Sequence, residues 1–152
     1  MNTKISGMVV AAVVACASVV SISLAAQNSS SVNTPVTALK YGPTGVSDGV
    51  HGELNAAPAY GDLGHGPHGT FVKMPAGFVS KVHTHTDDYW GVVIGGVAAN
   101  GKPGSTDVAL PVGSYWFQKG GESHVTKCLS PSECIFFISQ NGKFDYPADE
   151  KK

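Results

Sequence analysis

The 152 residues are 14% charged and 42% hydrophobic, with a formal net charge of -1. That composition suits one globular domain and argues against two domains or a disordered chain. Near-neutrality excludes the basic field that would draw nucleic acid, so a small molecule or a metal ion is the expected partner.

Residues 1–26 differ from the rest. Lys4 gives a positive start, Ile5 to Ala15 is apolar, and Ser23-Leu24-Ala25 offers a small-residue cleavage point, the pattern of a signal peptide. The expectation is a periplasmic or secreted protein, free of the membrane after cleavage. An uncleaved anchor is the alternative, because apolar character runs from Ile5 to Ala26. Val13-Val14-Ala15-Cys16 also resembles a lipobox, which would lipidate Cys16, although the residues beyond it stay apolar.

Ser, Asn, Thr and Pro dominate the next stretch with little apolar periodicity, which predicts a flexible linker over 27–50 and a folded domain over 51–148. After Tyr60 short apolar or alternating runs are separated by Gly, Pro, Asn and Asp, and no stretch shows a helical period. Strands are expected at Gly69 to Met74, Val79 to His85, Tyr89 to Ile94, Asp107 to Leu110, Ser114 to Gln118, Ser123 to Cys128 and Cys134 to Gln140. Their short, even spacing predicts an all-β barrel or jelly roll. Trp90, Trp116, Phe117, Phe136 and Phe137 fall in these strands, where core packing or a wall of the barrel mouth is the default.

Export would permit disulfides. Cys128 and Cys134 flank a turn-like stretch between two apolar runs. If those runs form a hairpin the sulfurs could meet, and a disulfide is preferred over a metal pair because soft-metal sites use closer spacings.

His83-Thr84-His85 carries the chemistry. Residues two apart in a strand share a face, so both imidazoles can point inward, roughly 6–7 Å apart at Cα. Alone the pattern is weak, and exposed or hydrogen-bonded histidines are the plainer reading. The surroundings add to it. Gly77, His83, His85, Tyr89 and Gly96 keep the spacing of the first cupin motif, G-x5-H-x-H-x3-4-E-x6-G, without its glutamate. Gly113, Lys119, Gly121 and His124 follow the second, G-x5-P-x-G-x2-H-x3-N, with Lys119 in place of the proline and Cys128 in place of the asparagine.

On these residues the chain resembles the cupin superfamily, and within it the DUF4437-like bacterial proteins related to ChrR-type cupins. Phrases such as Gly69-Thr70-Phe71-Val72, Gly91-Val92-Val93-Ile94 and Gly121-Glu122-Ser123-His124 carry the likeness, which covers about Tyr60 to Tyr146. The resemblance implies a single-domain small β-barrel, or double-stranded β-helix, with a divalent metal in its mouth held by His83, His85 and His124. Tyr89 stands where the missing glutamate would be. Three completions stay open: water, Tyr89 as a phenolate, or a carboxylate from Asp87 or Asp88, with a metal-free site as a further alternative. Imidazole ligands with open positions suit Zn, Fe(II), Ni or Cu rather than Mg or Ca.

Tyr89 and Glu122 are the candidate catalytic proton carriers, with a salt-bridged or solvated glutamate the plainer reading of Glu122. Lys81 shares strand parity with His83 and would meet an anionic substrate if it pointed inward; Cys128 shares parity with His124. His51, His65 and His68 precede the first motif and read as surface loop histidines, His68 being the one beside a strand. Two functions fit: a metal-dependent enzyme on a small molecule, dioxygenase-like or a hydrolase or isomerase, or a non-catalytic periplasmic module that binds or senses a metal or small ligand. The β-rich edges leave a homodimer open. Metal release is expected as pH falls below the ordinary histidine range.

Overall fold

The computed structural model describes residues 30–147, so the expected signal peptide and Cys16 lie outside the described residues. A 3-10 turn at Val36–Ala38 precedes the strands β1 (Gly42–Ser47), β2 (Glu53–Gly61), β3 (His68–Met74), β4 (Tyr89–Gly95), β5 (Val97–Gly101), β6 (Leu110–Pro111), β7 (Tyr115–Gln118), β8 (Val125–Cys128) and β9 (Cys134–Gln140). They form two antiparallel sheets. One has the order β1-β2-β3-β9-β4-β7 and the other β6-β5-β8. This is the all-β jelly roll that the resemblance implies.

Three expectations need correction. β1 lies inside 27–50, read as a linker, and β2 begins at Glu53, ahead of the first expected strand. Its Gly and Pro residues are tolerated because β1 is an edge strand paired only with β2. β5 was not among the expected strands, yet it pairs with both β6 and β8, and Ala98 is fully buried. Small side chains gave it no apolar signal. Val79 to His85, expected as a strand, is irregular and touches its neighbour through isolated bridges, Val79 to Lys127 and His83 to His124. It runs along β8 with Ser80 N–H donating to Thr126 O (3.0 Å) and Cys128 N–H to Phe78 O (3.0 Å). The bends that admit this path use Gly77 (φ +73°) and Gly121 (φ +74°), a region that L side chains rarely enter.

Alternation sorts the large sheet into faces. Cross-strand register places Val72, Phe136 and Val93 in one inward row, and Thr70, Ile138, Gly91 and Trp116 in the next. A Cβ on Gly91 would stand 2.2 Å from the Trp116 ring, so only glycine leaves room for that indole. The last inward row, His68, Gln140, Tyr89 and Gln118, is polar and buried throughout. Because Tyr89 points in, Trp90 must point out: Trp90 and Phe117, expected in the core, stack on each other at 5.4 Å on the outer face and are 42% and 49% exposed. Trp116 and Phe136 are core residues, and Phe137 is half-buried on the outer face against Phe71.

Cys128 and Cys134 form a disulfide, with Cα atoms 5.6 Å apart. They do not close a hairpin within one sheet. β8 belongs to the small sheet and β9 to the large one, so the bond ties the two layers together. The loop it closes is short, so replacing both cysteines by alanine should cost about 2 kcal/mol, seen as a lower urea midpoint at unchanged slope. An unchanged midpoint would contradict this role.

Candidate metal centre

His83 and His124 are fixed to each other by main chain. Each N–H donates to the other's carbonyl, His83 to His124 at 3.1 Å and His124 to His83 at 2.9 Å, and the ring centroids stand 4.1 Å apart. His85 follows two residues later on the same side, its carbonyl accepting from Gly121 N–H at 2.8 Å. Thus the expected two-residue alternation survives although the regular strand does not. All three rings are buried, and their ligand atoms lie within 4.8 Å of one another.

Each Nδ1 faces a backbone carbonyl. His83 Nδ1 donates to Lys81 O (2.9 Å), His124 Nδ1 to Glu122 O (3.1 Å) and His85 Nδ1 to Asp145 O (2.5 Å). A carbonyl only accepts, so each neutral ring carries its proton on Nδ1 and turns a bare Nε2 lone pair inward. Three lone pairs converging in a buried space repel one another unless a cation sits among them. Imidazole nitrogens are the usual ligands of divalent transition metals. The donor set therefore fits a divalent transition metal.

Burial lowers all three histidine pKa values. Desolvation, helped by the neighbouring His124, takes His83 down to about 3; desolvation takes His124 to about 4, against the pull of the Glu122 carbonyl. His85 is lowered by burial as well, with Asp145 opposing. The rings therefore stay neutral well below the ordinary histidine range, and the expected point of acid release of a metal moves down accordingly.

Tyr89 is buried, with its hydroxyl 3.3 Å from His124 Nε2. Burial pushes the phenol up to about 12, the neighbouring Trp116 and Thr126 side chains opposing only in part. It therefore keeps its proton at neutral pH. Glu122 takes the plainer of its two readings and not that of a proton carrier: its carboxylate pairs with Lys102 Nζ at 3.2 Å near the surface, and it is its carbonyl that reaches His124. Asp88 accepts from Gly120 N–H (2.7 Å) and shapes the turn before His124, and neither it nor Asp87 joins the three histidines. Lys81 points to solvent and contributes only its carbonyl. His51 and His65 pair with Asp48 and Asp62. His68, read as a surface loop residue, is 1% exposed in β3 and lines the same cavity as His83 and His85. Cys128 is committed to its disulfide.

The chain after β9 was not foreseen as part of the site. It crosses back over it: Phe144 N–H donates to Leu63 O (2.8 Å), Thr84 N–H to Pro147 O (3.2 Å), and Thr86 to the Asp145 carboxylate. Tyr146 packs on His83 at 4.2 Å between centroids, and Phe144 on His85 at 5.8 Å. The two-residue spacing of Phe144 and Tyr146 was the available signal. Together with Leu54, Val72 and Phe136 these rings make the cavity beside the histidines predominantly apolar.

A family model described as a domain of unknown function (DUF4437) matches residues 48–151. No curated protein sequence matches the chain. Similar solved structures include the DMSP lyase DddQ from Ruegeria pomeroyi DSS-3, at 18% identity and TM-score 0.57, covering 72% of this chain and 59% of that one. The polyketide cyclase RemF from Streptomyces resistomycificus gives 12% identity and TM-score 0.65 over 81% of this chain and 88% of that one. An RmlC-like cupin from Ralstonia eutropha JMP134 gives 17% and 0.61 over 81% and 76%. The chain thus spans about 59% of the lyase's length. At these identities the likeness establishes the cupin fold.

His83→Ala and His124→Ala should each abolish stoichiometric metal in the purified chain, whereas His65→Ala should leave it intact; equal losses in elemental analysis would misplace the site. A second expectation concerns the metal-free protein. Unfolded histidines protonate near pH 6.5, while His83 and His124 in the fold resist until about 3 and 4, so the unfolded state binds more protons in between. Stability then rises with pH and is lost as pH falls from about 6.5 toward 4, by up to about 1.4 kcal/mol per pH unit for each such histidine. Urea unfolding in chelator at pH 7.5 and pH 5 checks this, and equal stabilities would contradict it.

Proposed function

Because the chain belongs to the DUF4437 family of the cupin superfamily, we propose that it is an exported, metal-dependent enzyme acting on a small molecule. The observation that carries this is the cluster of three buried histidines, each with its Nδ1 turned to a carbonyl, of which His83 and His85 line an apolar cavity. His83, His85 and His124 hold the ion, with Zn, Fe(II), Ni and Cu all compatible with the donor set. Bound there, a divalent metal supplies Lewis acidity to a substrate oxygen. Two of the similar structures are named as a lyase and a cyclase, which supports a catalytic reading.

The remaining work falls to the chain. Phe144, Tyr146 and the aliphatic wall exclude water and so strengthen every polar interaction inside. Tyr89 holds its proton on Oη beside the Nε2 cluster and donates it, or a hydrogen bond, to an oxygen on which negative charge develops. The displacement of Glu122 favours a second reading, a non-catalytic periplasmic module for a metal or small ligand. With its carboxylate turned to Lys102, Tyr89 is left as the proton-bearing hydroxyl at the cluster.

Turnover of a panel of small diketones and thiols by the metal-loaded chain, with oxygen uptake followed in parallel, separates the two. Tyr89→Phe should keep full metal content and lower kcat by roughly 10²–10³-fold, the span of a lost proton donor. Tight metal retention with no turnover of any compound supports the binding module, and a chain that holds no metal removes both readings.

A further inference from the structure

The polar row at the end of the large sheet contains one group that finds no partner among the described residues. Opposite one another stand His68 on β3, Gln140 on β9, Tyr89 on β4 and Gln118 on β7. Gln118 is fully engaged: its Nε2 donates to Lys119 O (3.2 Å) and Glu122 O (3.1 Å), and its Oε1 accepts from Asn100 Nδ2 (2.9 Å). The Tyr89 hydroxyl reaches His124. His68 lies between Thr70 Oγ1 (2.9 Å) and Gln140 Oε1 (3.3 Å). Gln140, 2% exposed, has its oxygen against His68, and its Nε2 finds no acceptor among the described residues.

Gln140 Oε1 faces His68 Nε2 at 3.3 Å in this structure. Oε1 only accepts, so His68 must present Nε2–H to it, and His68 Nδ1 is left to accept from the Thr70 hydroxyl. With the His68 proton on Nε2, turning the amide over would set its N–H against the ring N–H. Two buried donors are thereby kept aimed away from His68, at a site that lines the cavity with His83, His85 and Tyr89. Leaving a buried donor without a partner is unfavourable, and a fold keeps such groups rarely. Val72, Phe136 and Ile138 supply hydrocarbon, and the Thr44, Ser80 and Thr126 hydroxyls on the same lining donate to Leu54 O, Lys81 O and Asn100 Oδ1.

We propose that Gln140 is a substrate-anchoring residue: its Nε2 donates to a carbonyl or carboxylate oxygen of a small molecule whose hydrocarbon portion fills the apolar cavity. This deepens the proposed function and rests on its reading of the cavity as the substrate site. The cavity measures about 50 Å³. At about 10–15 Å³ per water on that scale, its enclosed part accepts a fragment of roughly three to five heavy atoms. No acidic side chain among the described residues lines it, so an ammonium-bearing ligand finds no counter-charge there. The substrate class is a short acyl compound that presents an oxygen acceptor to Gln140.

The test uses the zinc-loaded full chain, labelled with ¹⁵N, and reads the side-chain amide of Gln140, assigned by its loss in Gln140→Met. The probes are 2-butanone, propionate and 2-methyl-1-butene, the last of which matches the ketone in shape without its oxygen. At least one of the two oxygen compounds should move the Gln140 amide resonances. The alkene should not. Gln140→Met, similar in volume but without the donor, should bind the responsive probe about tenfold more weakly at unchanged zinc content. An amide that responds to neither oxygen compound overturns the proposal, as does a Met variant that binds as tightly as the parent. The wild-type titration decides the matter even if the variant fails to fold. Zinc content is measured alongside: a chain without zinc whose Gln140 still responds removes the metal reading and keeps the anchor, while zinc retained with an unmoved amide does the reverse.

Discussion

The site depends on three hydrogen bonds from imidazole Nδ1 to main-chain carbonyls. Two are local and alike: His83 leans on Lys81 O and His124 on Glu122 O, each two residues back along its own segment. The third is long-range, His85 on Asp145 O, sixty residues away. Because the acceptors are carbonyls, they fix the tautomer as well as the ring direction, and backbone position alone decides where the bare Nε2 atoms point. The His83–His124 bridge sets the first two rings, and the returning C-terminal segment sets the third.

The sheets allow this by dividing their inward rows. Thr70, Ile138, Gly91 and Trp116, then Val72, Phe136 and Val93, supply the packing. The end row, from His68 to Gln118, trades that packing for hydrogen-bonding groups. Buried polar groups are tolerable only when nearly all are partnered. Here Gln118, Tyr89 and His68 are partnered, and the exception, Gln140, faces the cavity. The disulfide between β8 and β9 holds the two layers in the register that brings His124 to His83 and His85.

Much of this was legible in the residues. The spacing of Gly77, His83, His85, Gly113, Gly121 and His124 foretold both the fold and the grouping of the rings, because motif glycines and alternating side chains obey local geometry. What was hidden depended on partners distant in sequence. β1 and β5 carry Gly, Pro, Ala and Asn, and become strands through an edge position or through pairing on both sides. His68 looks like a loop histidine beside Gly and Pro until β9 brings Gln140 against it. The side-chain direction of Glu122 follows from Lys102 across a turn, and the role of Asp145 from a chain reversal that no periodicity announces.

The most direct measurement of this account is the tautomeric state of the histidines in the metal-free chain, read from long-range ¹H–¹⁵N correlations of the imidazole nitrogens at pH 7. The account predicts a protonated Nδ1 and an unprotonated Nε2 for His83, His85 and His124 alike, and the reverse, Nε2–H with Nδ1 accepting from Thr70, for His68. A proton on Nε2 of any of the three clustered rings would contradict it.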